Sequence, residues 1–218
     1  MNLNSVNNSS LICITRDDPR FNHFEQVQAF FDAGARLIQI RAKSTPLNDL
    51  SQQARKAVKL TRGSNCQLLI NDYFDLAKDI DADGVHLGST DAPVEYVRKF
   101  LPSGKIIGKT VHSLNEAKSS ILQKPDYIGL GPYRRSFTKK DLRPSLSDKD
   151  FIAILDILSP IPVFFIGGLT GKDFCLIDRF KIQGIALCSE LFTKSAGKPQ
   201  VDSLVQTSKS FEMVMPIQ

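Results

Sequence analysis

The sequence predicts an α/β protein folded as one (β/α)8 TIM barrel, and three observations carry that expectation. Eight short apolar runs recur along the 218 residues, helical patterns lie between them, and reactive polar residues follow the runs. The runs are L-I-C-I-T from Leu11, R-L-I-Q-I from Arg36, Q-L-L-I from Gln67 and G-V-H-L from Gly84, then K-I-I-G from Lys105, Y-I-G-L from Tyr127, P-V-F-F-I from Pro162 and G-I-A-L from Gly184. Their starts lie about 15 to 35 residues apart, the spacing of strand–helix units. Most are apolar at consecutive positions, as parallel strands buried on both faces require.

The intervening segments read as helices. From Phe24 to Ala33, Phe24, Val27, Phe30 and Phe31 fall on one face, and Gly34 stops the pattern. Leu47 to Leu60 repeats the arrangement with Leu50, Ala54, Ala57, Val58 and Leu60. Further helices are expected after Asp91, Ser113, Asp148 and Thr170, residues able to cap free N–H groups. A doubly wound open sheet is the competing architecture, because the same alternation serves both. Residues 1–10 are expected as a flexible segment and residues 11–218 as a single catalytic barrel.

With 42% hydrophobic and 23% charged residues, the chain has the make-up of a globular protein with a substantial core. Collagen-like, disordered and disulfide-scaffold classes are excluded. No apolar run approaches the about 20 residues that span a bilayer, so no membrane partner is expected. The net charge of +5 suits an anionic partner, either nucleic acid or a small phosphorylated ligand. The start M-N-L-N-S-V-N-N-S-S has neither the basic nor the apolar part of a secretory signal, and a cytoplasmic location is expected. Cys13, Cys66, Cys175 and Cys188 form no C-x-x-C pair, which points to buried free thiols rather than zinc. A homo-oligomer is compatible with the sequence, which sets no state.

In such a barrel the chemistry gathers at the C-terminal ends of the strands. Thr15 and Arg16 follow the first run. Gln39, Arg41 and Lys43 alternate in Q-I-R-A-K and so share one side. Asn71 and Asp72 follow the third, and His86, Gly88 and Asp91 the fourth. Thr110 and His112 follow the fifth, and Ser136, Thr138, Lys139 and Lys140 the sixth. Gly167 and Gly168 follow the seventh, and Cys188 and Ser189 the eighth. Each has an ordinary structural reading. Asn71-Asp72 and Asp91 could be helix caps, His23 a cap or surface residue, and His86 a satisfied core histidine. His112 reads as a loop-to-helix junction, and the basic run after Gly131 as a solvated loop. The coincidence at strand after strand carries the functional inference. The long segment from Gly131 to Ser147 is expected as a working loop.

Asp72 and Asp91 leave adjacent strand ends beside Arg41, Lys43 and Lys139. Magnesium commonly takes one or two protein carboxylates and completes its shell with water and phosphate oxygens. Arg grips a diphosphate bidentately and Lys supplies a point charge. Gly168 and Ser189 fall where barrels often hold a further phosphate. Two anionic ligands meeting over magnesium suggest a transferase that expels pyrophosphate.

From Leu11 to about Phe192 the chain resembles the thiamine-phosphate synthase family. The motifs are Q-I-R-A-K, L-I-N-D, A-D-G-V-H-L-G, G-K-T-V-H-S-L-N-E-A, D-Y-I-G-L-G-P, F-T-K-K-D and I-G-G-L, in that order. The resemblance implies joining of aminopyrimidine-methyl diphosphate to thiazole phosphate by a dissociative path. It implies one magnesium ion held by Asp72 and Asp91. Arg41, Lys43, Asn71, Thr110 and Lys139 match diphosphate positions, with Arg41, Lys43, Thr110 and Lys139 the catalytic stabilisers. Gln39 and His86 fall near the pyrimidine. Ser136, Thr138, Gly168 and Ser189 match thiazole-phosphate positions, and Cys188 adjoins them. Departures from the pattern are Ser89 after H-L-G, Thr110 for Ser, Ser136 for Thr, and the bulky Tyr133-Arg134-Arg135. Thiazole tautomerase, of the same fold, is the nearest alternative, but it has little use for Asp91 or the T-K-K lysine. A basic nucleic-acid-binding module is the remote one, since no aromatic stacking motif accompanies the charge.

Overall fold

A computed structural model describes residues 5–134, 146–192 and 201–212. Eight parallel strands close into a barrel in chain order, with β1 paired to both β2 and β8. That closure rejects the open sheet. The strands are β1 (Leu11–Ile14), β2 (Leu37–Ile40), β3 (Gln67–Asn71), β4 (Gly84–Leu87), β5 (Ile106–Val111), β6 (Tyr127–Leu130), β7 (Val163–Phe165) and β8 (Gly184–Leu187). Each expected run falls on a strand, although β3 and β5 continue past their runs to Asn71 and Val111. The helices are α1 (His23–Asp32), α2 (Leu47–Thr61), α3 (Phe74–Asp79), α4 (Val94–Phe100), α5 (Leu114–Gln123), α6 (Asp148–Leu158), α7 (Cys175–Phe180) and α8 (Asp202–Glu212).

Side-chain caps explain three of the helix starts. Asn22 and Glu25 form a reciprocal capping box on α1, Ser147 and Asp150 do so on α6, and Ser113 caps α5. Asp91, expected as a cap, does not act as one: α4 starts after Pro93, whose fixed φ suits a helix entry, with no side-chain cap. Thr170 caps a 3-10 turn, Gly171–Phe174, that runs into α7.

Because strand side chains alternate, the barrel has two cores. Outward residues such as Ile38, Ile40, Leu68, Ile70, Ile128 and Phe165 pack under the helices. Inward residues form a second cluster of Ile12, Leu37, Leu69, Ile106, Tyr127, Phe164 and Ala186. Val6 joins that inner cluster from a 3-10 turn, Ser5–Asn8, within the segment expected to be flexible. Burying its side chain against the strand starts gives that turn a reason to order. At the other end of the chain, α8 is tied to the start of β1. Ser10 donates its hydroxyl to the Ser208 carbonyl at 2.7 Å, and Glu212 pairs with Arg36 at 2.9 Å. Among the described residues no helix is long and apolar enough to cross a membrane. Cys13 and Cys66 are buried thiols, whereas Cys175, expected buried, is exposed at the start of α7.

Candidate active site

The barrel interior changes character along its axis. Each strand advances by two residues from an apolar layer to a polar one: Leu37 to Gln39, Leu69 to Asn71, Gly84 to His86, and Gly108 to Thr110. Register sets Asn71 beside His86 and Thr110 beside Gly129. All four polar residues are buried. Gly108 makes room for this layer, because a Cβ there would sit 2.2 Å from Cζ of Tyr127, whose ring crosses the interior from β6.

A buried polar group must be paired, and these are. Tyr127 Oη lies 2.8 Å from His86 Nδ1, and Thr110 Oγ1 lies 2.7 Å from His86 Nε2. Gln39 also hydrogen-bonds the phenol, although burial is the larger influence and pushes the Tyr127 pKa far up. The donors can be counted along the chain. With the Gln39 amide donating to Oη, the phenol donates to Nδ1, and the Nε2 proton goes to Thr110. Thr110 then keeps its own proton to donate. His86 is thus a satisfied core histidine and also part of the site.

Above this layer, the ends of β3 and β4 bring the expected acids together. Asp72 follows β3 with φ of 69°, a left-handed conformation that Asp and Asn tolerate better than most residues. Its side chain does not cap α3. Lys43 Nζ donates to Asp72 Oδ2 at 2.5 Å. Asp91 turns back to accept the Gly88 N–H at 2.6 Å and hydrogen-bonds Asp72. Burial and the neighbouring Asp72 hold the Asp91 carboxyl above its ordinary range. Burial opposes ionisation of Asp72 too, but the hydrogen bonds from Asp91 and Lys43 outweigh it and bring that group down. The two carboxyls are therefore pushed apart, with Asp72 the easier to ionise and Asp91 the harder. Lys109, which the sequence reading passed over, steadies the turn from outside the barrel. It is buried and donates to the Gly88 carbonyl at 2.7 Å, and burial lowers its pKa.

Across the mouth, Gly167 and Gly168 have φ of 89° and 67°. Two successive left-handed residues strongly favour glycine. A Cβ on Gly168 would also meet the Arg134 Cβ and carbonyl at 2.9 Å. Arg134 donates its N–H to the Gly167 carbonyl at 3.1 Å and grips Asp173 with two bonds of 2.7 and 2.6 Å. Tyr133 stacks on Phe165 with ring centroids 5.6 Å apart. The unusual Tyr133-Arg134 pair thus anchors the β6 loop to the β7 loop. Cys188 is half-buried and Ser189 exposed where a short 3-10 turn follows β8. Ser136, Thr138 and Lys139 lie outside the described residues. His112 stands after β5, as expected, with Nδ1 facing the Gly131 carbonyl.

A polar layer rising to paired carboxylates and a lysine at the strand ends is the arrangement the motifs imply. Residues 10–191 match the thiamine monophosphate synthase family. The chain belongs to that family. A thiamine-phosphate synthase from Bacteroides thetaiotaomicron is 34% identical over 182 residues, covering 82% of this chain and 87% of the relative. One from Lawsonia intracellularis is 36% identical over 190 residues, covering 85% and 86%. The structure of a thiamine phosphate pyrophosphorylase from Pyrococcus furiosus superposes with a TM-score of 0.80 at 26% identity, over 96% of this chain and all of that one.

Within the thiamine monophosphate synthase family frame, the structure gathers Gln39, Arg41, Lys43, Asn71, Asp72, His86, Asp91 and Thr110 at one end of the barrel, on β2 to β5 and the loops that follow them. Gly168, Cys188 and Ser189 leave β7 and β8 at the same end. Among the described residues no three His, Cys, Asp or Glu side chains converge, so a metal here would draw on two carboxylates and on its ligands' oxygens. Sequence reasoning missed Tyr127 as a member of the site, although D-Y-I-G-L-G-P contains it. Its inward position on β6, two residues before Gly129, was the available signal. His23 is not a surface residue but is buried at the first position of α1.

Proposed function

We propose that this chain joins aminopyrimidine-methyl diphosphate to thiazole phosphate, with or without its carboxylate, forming thiamine phosphate and pyrophosphate. The Asp72–Asp91 contact beside Lys43 carries the proposal. Two carboxyls in contact, each making the other harder or easier to ionise, form a hard oxygen pair whose repulsion a divalent ion would relieve, and magnesium suits one or two such ligands plus phosphate oxygens. One magnesium ion per site would neutralise charge developing on the departing diphosphate.

This chain's residues supply the rest. Arg41 and Lys43 hold the diphosphate from the β2 loop, and the Thr110 hydroxyl, already accepting from His86, donates to it. Lys139, outside the described residues, is the further candidate for the diphosphate by its match to the family pattern. The layer of Gln39, Asn71, His86 and Tyr127 receives the pyrimidine. Gly168, Cys188 and Ser189 line the thiazole-phosphate side, where Arg134 fixes the Gly167–Gly168 turn, and Ser136 and Thr138, outside the described residues, are further phosphate candidates by their match to the family pattern. Stabilising a departing anion, with no covalent nucleophile required, favours a dissociative path in which the thiazole nitrogen captures the pyrimidine methyl cation. The T-K-K lysine and the Asp72–Asp91 pair favour synthesis over thiazole tautomerisation.

The test mixes both substrates with magnesium and reads thiamine phosphate by fluorescence after oxidation to thiochrome. Asp72→Asn keeps the left-handed backbone accessible and removes the charge. Activity should fall by roughly a hundredfold or more. Full activity in that variant refutes the metal assignment.

A further inference from the structure

Arg41 and Lys43 sit on a loop, Arg41–Pro46, and a flexible loop would present two mobile cations poorly. The structure shows what holds it. Asp17, in the loop after β1, accepts the backbone N–H groups of three successive residues: Lys43 at 2.8 Å, Ser44 at 3.0 Å and Thr45 at 3.2 Å. The Thr45 hydroxyl adds a fourth bond at 2.7 Å. An acid beside an anion site is costly unless its charge is spent elsewhere, and here four donors from one turn take it up.

His23 completes the arrangement from α1. The Arg41 N–H donates to Thr15 Oγ1 at 3.0 Å, and Thr15 Oγ1 lies 2.7 Å from His23 Nδ1. A backbone N–H only donates, so the threonine proton goes to Nδ1 and the histidine proton resides on Nε2. That nitrogen faces Thr45 Oγ1 at 3.2 Å and Asp17 Oδ1 at 3.4 Å. Four of the five backbone N–H groups from Arg41 to Thr45 are therefore fixed by Thr15 and Asp17, with neutral His23 bridging the two.

We propose that Asp17, His23 and Thr15 are positioning residues for the diphosphate site. They set the backbone from which Arg41 and Lys43 reach the ligand and Lys43 reaches Asp72. This inference rests on the function proposed above. Outer partners that orient metal ligands are worth about 10- to 100-fold in affinity or activity, and a comparable effect is expected here.

The test titrates inorganic pyrophosphate with magnesium by calorimetry and measures the KM of each substrate. The variants are Asp17→Asn, Thr15→Val, Thr15→Ser and Lys43→Ala, with thermal melting to confirm the fold. Asp17→Asn and Thr15→Val should weaken pyrophosphate binding about tenfold or more. They should raise KM for the pyrimidine diphosphate but not for the thiazole phosphate, and Thr15→Ser should restore both. Unchanged pyrophosphate binding in the folded variants overturns the proposal. So does an equal rise in both KM values, or unfolding of both variants, each of which marks a merely structural role. Lys43→Ala separates the two layers of argument. If it leaves pyrophosphate binding intact, the site reading fails; if it weakens binding while Asp17→Asn and Thr15→Val do not, only the positioning role fails.

Discussion

Replacing Tyr127 by Phe removes one oxygen atom from the centre of the barrel, and the consequence can be worked out from its partners. The phenol lies 2.8 Å from His86 Nδ1 and is also bonded by Gln39. Tyr127 is fully buried, Gln39 is 2% exposed and His86 6%. Water therefore has little access to groups left behind. Packing is nearly unchanged, so the cost is that of an orphaned ring nitrogen and amide, about 1–3 kcal/mol for each unsatisfied buried group. For a chain of this size each kcal/mol lowers the melting temperature by roughly 2–4 °C. Tyr127→Phe should therefore melt at least about 2 °C lower and, if both partners stay unpaired, at least about 4 °C lower. Once its orienting partner is gone, His86 can turn and stop donating to Thr110, so kcat/KM should fall as well. Differential scanning calorimetry and the thiochrome assay read the two effects. A variant with unchanged melting temperature and unchanged kcat/KM would refute the proton chain from Gln39 to Thr110.

Gly108→Ala tests the same layer sterically. Its Cβ at 2.2 Å from the Tyr127 ring forces the phenol aside, which should cost about 1–3 kcal/mol in urea denaturation and lower activity more than an alanine on the outer face of β5 would. His23 gives a pH dependence. Burial lowers its pKa from the ordinary 6.5, although Asp17 opposes the shift, so the unfolded chain binds the proton first. Its contribution is then complete above about pH 6.5 and declines as pH falls through the folded value. His23→Gln should flatten the stability profile in that window by thermal melts, while Asp17, whose carboxyl is held well below the carboxylate range by Thr45 and the Lys43 and Ser44 amides, keeps a separate loss that begins near pH 4.

The barrel was legible because burial on both faces leaves a local record. V-F-F and G-I-A-L are apolar at every position since one set packs inside and the other under helices. Asn71, Asp72 and Asp91 were legible for a related reason: each follows such a run, and β-strand geometry fixes which end it leaves. Where local signals competed, the sequence could mislead. Asp91 stands just before A-P, like an N-cap, yet Pro93 starts the helix itself and frees the acid to turn back on Gly88. Cys175 was grouped with buried thiols, but it opens α7 on the solvent side.

What stayed hidden depends on partners far apart in the chain. R-D-D-P-R after β1 matches no motif, because Asp17 acquires its role only when closure of β1 against β2 brings it to residues 26 to 28 positions away. The same closure explains why an acid can serve an anion site. A one-residue slip of β2 would turn Gln39 and Arg41 outward and Ile40 and Ala42 inward, which would exchange the polar layer for an apolar one. The register is held by Cys13 opposite Ile38 and Ile14 opposite Gln39, and the Thr15 N–H extends it to the Gln39 carbonyl at 2.9 Å. Asp17 and Thr15 continue that pairing past the last strand residue, using side-chain atoms where the backbone ladder ends. The backbone that carries the site's cations is thus placed by an extension of the sheet.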